Sequence, residues 1–181
     1  GELAVSVNLS HREFWSDRLV PIVAEALARH EVPPDCLILE ITESSIMAQP
    51  DAAREVMQHL REIGVHMHID DFGTGHSSMT ALRAFPVDAI KIDRSFVREI
   101  DVDARATELV RVIVGMGLTL GIDVVAEGVE TGEQAVQLRT MGCQTAQGWL
   151  YAAALPGSEA ASLLGQHVLP KTPSTVASAG A

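Results

Sequence analysis

Cysteine is scarce in this sequence. Cys36 and Cys143 are the only two, and both sit in apolar runs. Reduced, buried thiols suit that placement better than a disulfide, which fits a cytoplasmic compartment. Positive charge is also in short supply: 13 Lys and Arg stand against 24 Asp and Glu, a formal net charge of -11. That balance excludes general binding to the backbone of DNA or RNA. It still admits a phosphate substrate where metal ions reverse the sign locally. No apolar run is long enough for a bilayer. The longest, about Val112 to Ile122, is interrupted by glycines, so no membrane contact is expected from this segment. A signal peptide and an initiator Met are both missing, and the chain opens at Gly1-Glu2. It reads as a piece of something longer, and a membrane anchor in the parent would lie upstream. Nor does a glycine-rich dinucleotide turn follow the first apolar strand, which weakens a doubly wound sheet as the fold.

The remainder is an ordinary globular composition, 47% hydrophobic and 20% charged over 181 residues. One domain is expected over residues 1–168. The last residues, 169–181, are Pro, Ser, Thr and Ala with little to bury and read as a disordered tail. Strand-like runs recur at Leu3–Leu9, Leu37–Ile41, Val65–Asp70, Val87–Ile92, Ile122–Ala126 and Cys143–Ala146. Between them lie helical patterns. Ser10 with Glu13 forms a capping box for a helix to about His30. Pro50 or Asp51 opens a helix that Gly64 closes. A short helix is expected from Ser77 to about Arg83 and a long one from about Ala104 to Leu120. Thr131 caps another, and a last helix covers about 158–167.

Strand then helix, six times over, predicts an α/β fold with a parallel sheet and helices outside. Short strands buried on both faces point to a barrel. A (β/α)8 barrel of the TIM type needs eight units and roughly 250 residues. The chain is therefore expected to lack about two N-terminal βα units.

One stretch organises the rest: Met67-His68-Ile69-Asp70-Asp71-Phe72-Gly73-Thr74-Gly75-His76-Ser77-Ser78. An apolar strand runs into two adjacent carboxylates and then a glycine-rich loop. Two like charges side by side are costly without a counter-charge. Every other strand also ends in a polar group: Asn8, Glu40, Lys91 with Asp93, Glu127 and Gln147. In a parallel barrel all these ends share the face where catalytic residues gather. Oxygen ligands of this kind suit Mg²⁺ or Mn²⁺. Two such ions would activate a water and clamp a phosphodiester.

With these residues in view, the sequence resembles the EAL domain family of cyclic-di-GMP phosphodiesterases. The matching pieces are Val7-Asn8-Leu9-Ser10, Leu39-Glu40-Ile41-Thr42-Glu43, Asp70-Asp71-Phe72-Gly73-Thr74-Gly75, Ile90-Lys91-Ile92-Asp93, Ala126-Glu127-Gly128-Val129-Glu130 and Gln147-Gly148-Trp149-Leu150, over about Leu3 to Pro156. The resemblance implies a barrel of the EAL kind that hydrolyses cyclic-di-GMP to linear pGpG. It implies Asn8, Glu40 and Asp70 as ligands of one metal, with Asp70 bridging to a second held by Asp71 and Glu127. Glu127 would be the general base or the residue that fixes the attacking water, and Lys91 would orient the water or steady the charge on phosphate. Glu43 would hold the loop after Asp71, near a dimer interface. Asp93, Gln147, Thr74 and Gly75 would support substrate or loop.

The departures carry expectations of their own. Glu25-Ala26-Leu27 spells the family's name-giving motif but falls in a helix, out of order. The strand-end motif is expected upstream, so the chain alone should be weak or inactive. Ala152-Ala153-Ala154 stands where the family often has Ser-Arg-Pro, which removes a cationic contact. His68 replaces a small residue and is expected to be a packed, hydrogen-bonded histidine. His76, where Tyr is frequent, is expected on the loop surface. An open barrel edge predicts a homodimer or higher oligomer. The rival function is a module that binds cyclic-di-GMP or a protein partner without cleaving it.

Overall fold

Six strands pair in chain order into one sheet: β1 (Val5–Leu9), β2 (Leu37–Thr42), β3 (His66–Phe72), β4 (Ala89–Ile92), β5 (Asp123–Ala126) and β6 (Thr145–Ala146). Every neighbouring pair is parallel. This computed structural model describes residues 3–74, 79–157 and 159–160. The chain divides into two units, 1–151 and 152–181, and the sheet lies wholly in the first. Of the second, residues 152–156 are irregular, and Glu159 and Ala160 donate to the Pro156 carbonyl in a turn of helix. The rest of the expected last helix, and the expected tail, lie outside the described residues.

Helices α1 (His11–Phe14), α2 (Leu19–His30), α3 (Glu43–Met47), α4 (Pro50–Ile63), α5 (Met79–Ala84), α6 (Arg94–Arg98), α7 (Ala104–Leu120) and α8 (Gly132–Met141) fill the connections. The arrangement is α/β with a parallel sheet, as in a TIM-type barrel. Six strands are present, and among the described residues β1 and β6 are the two ends of the sheet.

The helix expected from Ser10 to His30 is broken in two. Its capping box forms as read: the Glu13 N–H donates to Ser10 Oγ, and the Ser10 N–H donates to Glu13 Oε2 at 2.8 Å. The Ser16 Oγ then accepts from the Arg18 N–H, and the Ser16 carbonyl from Leu19. That local turn competes with helix continuation. The chain re-enters a helix only at Leu19, so Phe14 drops into the core beside Trp15, rings edge to face at 5.0 Å. Two short helices, α3 and α6, have no counterpart in the sequence reading. Asp93 caps α6 by accepting from the Ser95 N–H at 3.0 Å.

The strands alternate. Leu39, Ile41, Met67, Ile69, Ile90, Ile92 and Val124 are buried in the core with Met57 and Leu60 of α4 and Val110 of α7. Ser6, Glu40, His68, Asp70, Lys91 and Glu127 occupy the alternate positions and share the other face. The expectation of strands buried on both faces therefore holds for β4, for most of β5 and for the middle of β2, but not for β1 or β3. One face supplies the hydrophobic stabilisation, and the other is released for chemistry.

Thr131 illustrates the cost of a local signal. It caps α8 by accepting from the Gln134 N–H, while Gln134 Oε1 accepts from the Thr131 and Glu130 N–H groups. Thr131→Ala is expected to cost about 1 kcal/mol, a fall of about 2–4 °C in Tm. An unchanged melting curve would show that Gln134 alone satisfies that helix end.

Candidate active site

Lys91 is the hub of the polar face. It is only 3% exposed, yet it carries a charge. Its Nζ lies 2.5 Å from Glu40 Oε2, 2.6 Å from Glu127 Oε1 and 3.2 Å from Asp70 Oδ1. Four strands thus contribute to one cluster: β2, β3 and β4, with Glu127 just past the end of β5. Burial works against the ammonium, but hydrogen bonds to Glu127 and Glu40 outweigh it and hold the Lys91 pKa above its ordinary value. One cation facing three carboxylates leaves an excess of negative charge.

Asp71 adds to that excess. Oxygens of Asp70, Asp71 and Glu127 all lie within 4.8 Å of one another. Successive residues of a regular strand point to opposite faces. Here the pairing of β3 with β4 slips between Ile69 and Phe72, and Asp71 takes a left-handed φ of 54°. This irregularity brings both carboxylates to one side. Its strain at a non-glycine residue is of order 1–3 kcal/mol, a cost typical of functional positions. The Asp71 N–H donates to Asp70 Oδ1 at 3.0 Å, which fixes the pair. Burial, Asp70 and Asp93 together push the Asp71 carboxyl up in pKa. Burial also raises Glu127, against the pull of Lys91. Burial is the main cause of both shifts and the neighbouring carboxylates add to it, and a divalent cation would relieve that crowding.

The other sequence-singled residues take distinct places. Gln147 donates from Nε2 to Glu127 Oε1 at 2.7 Å, so Glu127 is held from two sides. Glu43 is 1% exposed, and its Oε2 accepts from the Gly73 N–H at 3.0 Å, tying α3 to the turn after the Asp pair. Thr74 closes that turn by donating to the Asp71 carbonyl at 2.9 Å. Asn8 pairs in register with Glu40, but its side chain is exposed and joins no hydrogen bond to the cluster. Asp93 caps α6 and approaches Asp71 with its carboxyl. Gly75 and His76 lie outside the described residues. His68 is half-buried beside Glu40, and burial lowers its pKa. Among the described residues no hydrogen bond to its ring is found, contrary to expectation. The hub role of Lys91 was not legible in the sequence. A buried lysine at an inward strand position is its signal.

Gly148 explains how Gln147 is delivered. At φ 154° its missing Cβ would stand 2.3 Å from both the Val129 N and the Val129 O. That close approach lets the Val129 N–H donate to the Gln147 carbonyl and the Leu150 N–H to the Val129 carbonyl, each at 3.0 Å. Gly148→Ala is expected to cost about 2 kcal/mol and to withdraw Gln147 from Glu127. Thermal denaturation measures the first effect. Native-like stability in the variant would mean that the strand ends can part without loss.

The chain is similar to known proteins over most of its length. The model of the EAL domain matches residues 1–154. The bifunctional diguanylate cyclase/cyclic di-GMP phosphodiesterase MucR of Pseudomonas aeruginosa is 42% identical over 155 residues, covering 86% of this chain and 23% of MucR. The chain spans about a fifth of the length of the curated relatives it matches. The solved PaMucR phosphodiesterase in complex with c-di-GMP superposes with a TM-score of 0.85 at 41% identity, covering 87% of this chain and 64% of that one. The manganese/cy-diGMP complex of Klebsiella pneumoniae BlrP1 superposes at 0.76 with 33% identity, covering 83% and 38%.

Proposed function

The chain belongs to the EAL domain family, and from that premise we propose that it is the metal-binding part of a cyclic-di-GMP phosphodiesterase. The reaction is hydrolysis of one phosphodiester of cyclic-di-GMP to linear pGpG. The observation that supports it most is the meeting of Asp70, Asp71 and Glu127 beside a buried Lys91. A chain with a net charge of -11 repels a phosphodiester unless cations stand between them.

Asn8, Glu40 and Asp70 would hold one ion, and Asp71 and Glu127 a second that shares Asp70. When bound, Mg²⁺ or Mn²⁺ supplies acidified water and neutralises charge on the phosphate. Glu127 takes the proton of the attacking water. Its burial makes it a stronger base than an exposed glutamate, and Gln147 and Lys91 fix its direction. Lys91 stabilises the charge that develops on the phosphate oxygens. Glu43 holds the Gly73 turn and so the Asp pair, and Asp93, Thr74 and Gly75 support that turn.

Asn8 sits exposed at the end strand of the sheet, so the site has one open wall. The isolated 181 residues should therefore turn over slowly and act as a homodimer or higher oligomer. No helix among the described residues is long and apolar enough to cross a membrane.

The test is hydrolysis of cyclic-di-GMP with Mg²⁺ or Mn²⁺ by the chain and by the domain it comes from, with a chelator as control. Metal-dependent pGpG from the whole domain supports the reading. Tight binding without turnover by the whole domain would make this a sensing module instead. Fast turnover by the isolated chain would overturn the open-wall argument.

A further inference from the structure

We propose that α6 is a wedge that sets the span between Asp71 and Glu127, and so the size of cation the pair accepts, with Arg94 and Phe96 as its positioning residues. The inference rests on the metal reading above and adds what fixes the width of the site. Asp71 belongs to β3 and Glu127 lies just past β5, with β4 between them. Strand pairing alone does not fix their separation, because the pairing of β3 with β4 slips between Ile69 and Phe72.

Helix α6 follows β4 after Asp93 alone and touches the turn behind each carboxylate. Gly73 lies two residues after Asp71. A Cβ there would stand 3.1 Å from Phe96 Cε2 and 3.3 Å from Ile113 Cδ1 of α7. Gly128 lies one residue after Glu127, and a Cβ there would stand 2.7 Å from Arg94 Cβ. Both glycines take a left-handed φ, 98° and 68°. Each turn therefore rests directly on the helix, with no side chain of its own to yield. Residues two apart on a helix point to nearly opposite sides, roughly 200° around the axis. Arg94 and Phe96 thus put α6 between the two turns.

Five residues have no helical stability of their own. Contacts at both ends hold α6 in place. Asp93 caps it by accepting from the N–H and Oγ of Ser95. Val97 is fully buried, and Ile100 just beyond the helix is buried too. Thr107 Oγ1 of α7 donates to the Ile100 carbonyl at 2.7 Å. A wedge of fixed width makes a site of fixed width. Mg²⁺ demands near-ideal ligand distances of about 2.0–2.1 Å, whereas Ca²⁺ tolerates an irregular shell at about 2.3–2.6 Å. Shifting the wedge should therefore cost the smaller ion far more.

The test is calorimetric titration of Mg²⁺ and of Ca²⁺ into the domain that contains this chain, with a melting curve for each variant. Gly128→Ala drives a Cβ against Arg94 and displaces the turn that carries Glu127. Mg²⁺ affinity should fall about 10–100-fold, the range for residues that orient a ligand, and Ca²⁺ affinity less than about threefold. Arg94→Gly removes the obstructing Cβ, so the double variant should recover most of the preference for Mg²⁺. Phe96→Leu withdraws the other side of the wedge and should narrow the preference in the same direction. It changes apolar shape alone, so it decides the matter if Gly128→Ala does not fold. Equal losses for the two ions would mean that α6 only stabilises the fold. An unchanged preference in folded variants would mean that it does not set the span. Either result overturns the proposal and leaves the metal reading intact. Failure of the unsubstituted domain to bind either ion would overturn both.

Discussion

Lys91→Met should lower the unfolding free energy by about 3–5 kcal/mol, the cost of leaving buried charges without a partner. Methionine fills similar space, so packing is kept and the loss is electrostatic. Glu40, 6% exposed, loses its salt bridge, and Glu127 and Asp70 lose theirs. The effect has a pH signature. In the native chain Lys91 has a raised pKa, so while its carboxylate partners are ionised its contribution holds up to the ordinary lysine value and goes only in strong alkali. In the variant Glu127, already raised by burial, loses the cation that opposes that rise. The folded state then binds more protons than the unfolded state, and stability falls as pH rises through the carboxylate range. Urea denaturation at mildly acidic and mildly alkaline pH reads this directly. A deficit that is the same at both would show that Lys91 acts by packing. Added Mn²⁺ should restore part of the loss, because a divalent ion supplies the missing charge.

Asp70→Asn should weaken Mn²⁺ binding by at least about 100-fold, since residues that merely support a ligand are worth 10–100-fold. The substitution keeps shape and removes one charge from the group where Asp70, Asp71 and Glu127 converge. It also leaves the Asp71 N–H an acceptor, so the turn should hold. Asp93→Asn is the contrast. Its oxygen can still cap α6, and the loss should stay below about tenfold. Titration calorimetry or Mn²⁺ spin resonance separates the two. Equal effects, or none, would break the assignment of Asp70 as the shared ligand. Lower pH should weaken binding in the unsubstituted chain, because protons compete for Asp71 and Glu127, whose pKa values are raised.

These residues were legible for different reasons. Strand-end polarity exposed Glu40, Asp70, Asp71, Lys91, Glu127 and Gln147, because alternation and parallel order put such ends on one rim. Caps at Ser10, Pro50 and Thr131 fixed helix starts, since each acts within four residues. What escaped was set by contacts distant in sequence. Lys91 reaches Glu40 across 51 positions, and no local pattern reports that. The slip in β3 arises from pairing with β4 and not from the run His66–Phe72 alone. Helix α6 hid behind Asp93, which reads equally as a site carboxylate and as a cap. The break at Ser16 was a hydroxyl competing with the helix, a choice that propensity leaves nearly balanced.

The strand order also bears on how the chain is born. Each strand's partner is the one synthesised just before it, so the sheet can lengthen as residues leave the ribosome, one helical crossover at a time. The charges do not keep that pace. Glu40 emerges 51 residues ahead of Lys91, a wait of roughly 3–10 s at ordinary rates of translation. During that interval a nascent two- or three-stranded sheet has an acid that it cannot yet bury, so its polar face stays hydrated. The rim is sealed only when the fourth strand arrives, and pausing before Lys91 would prolong the hydrated state without harming the helix-facing core.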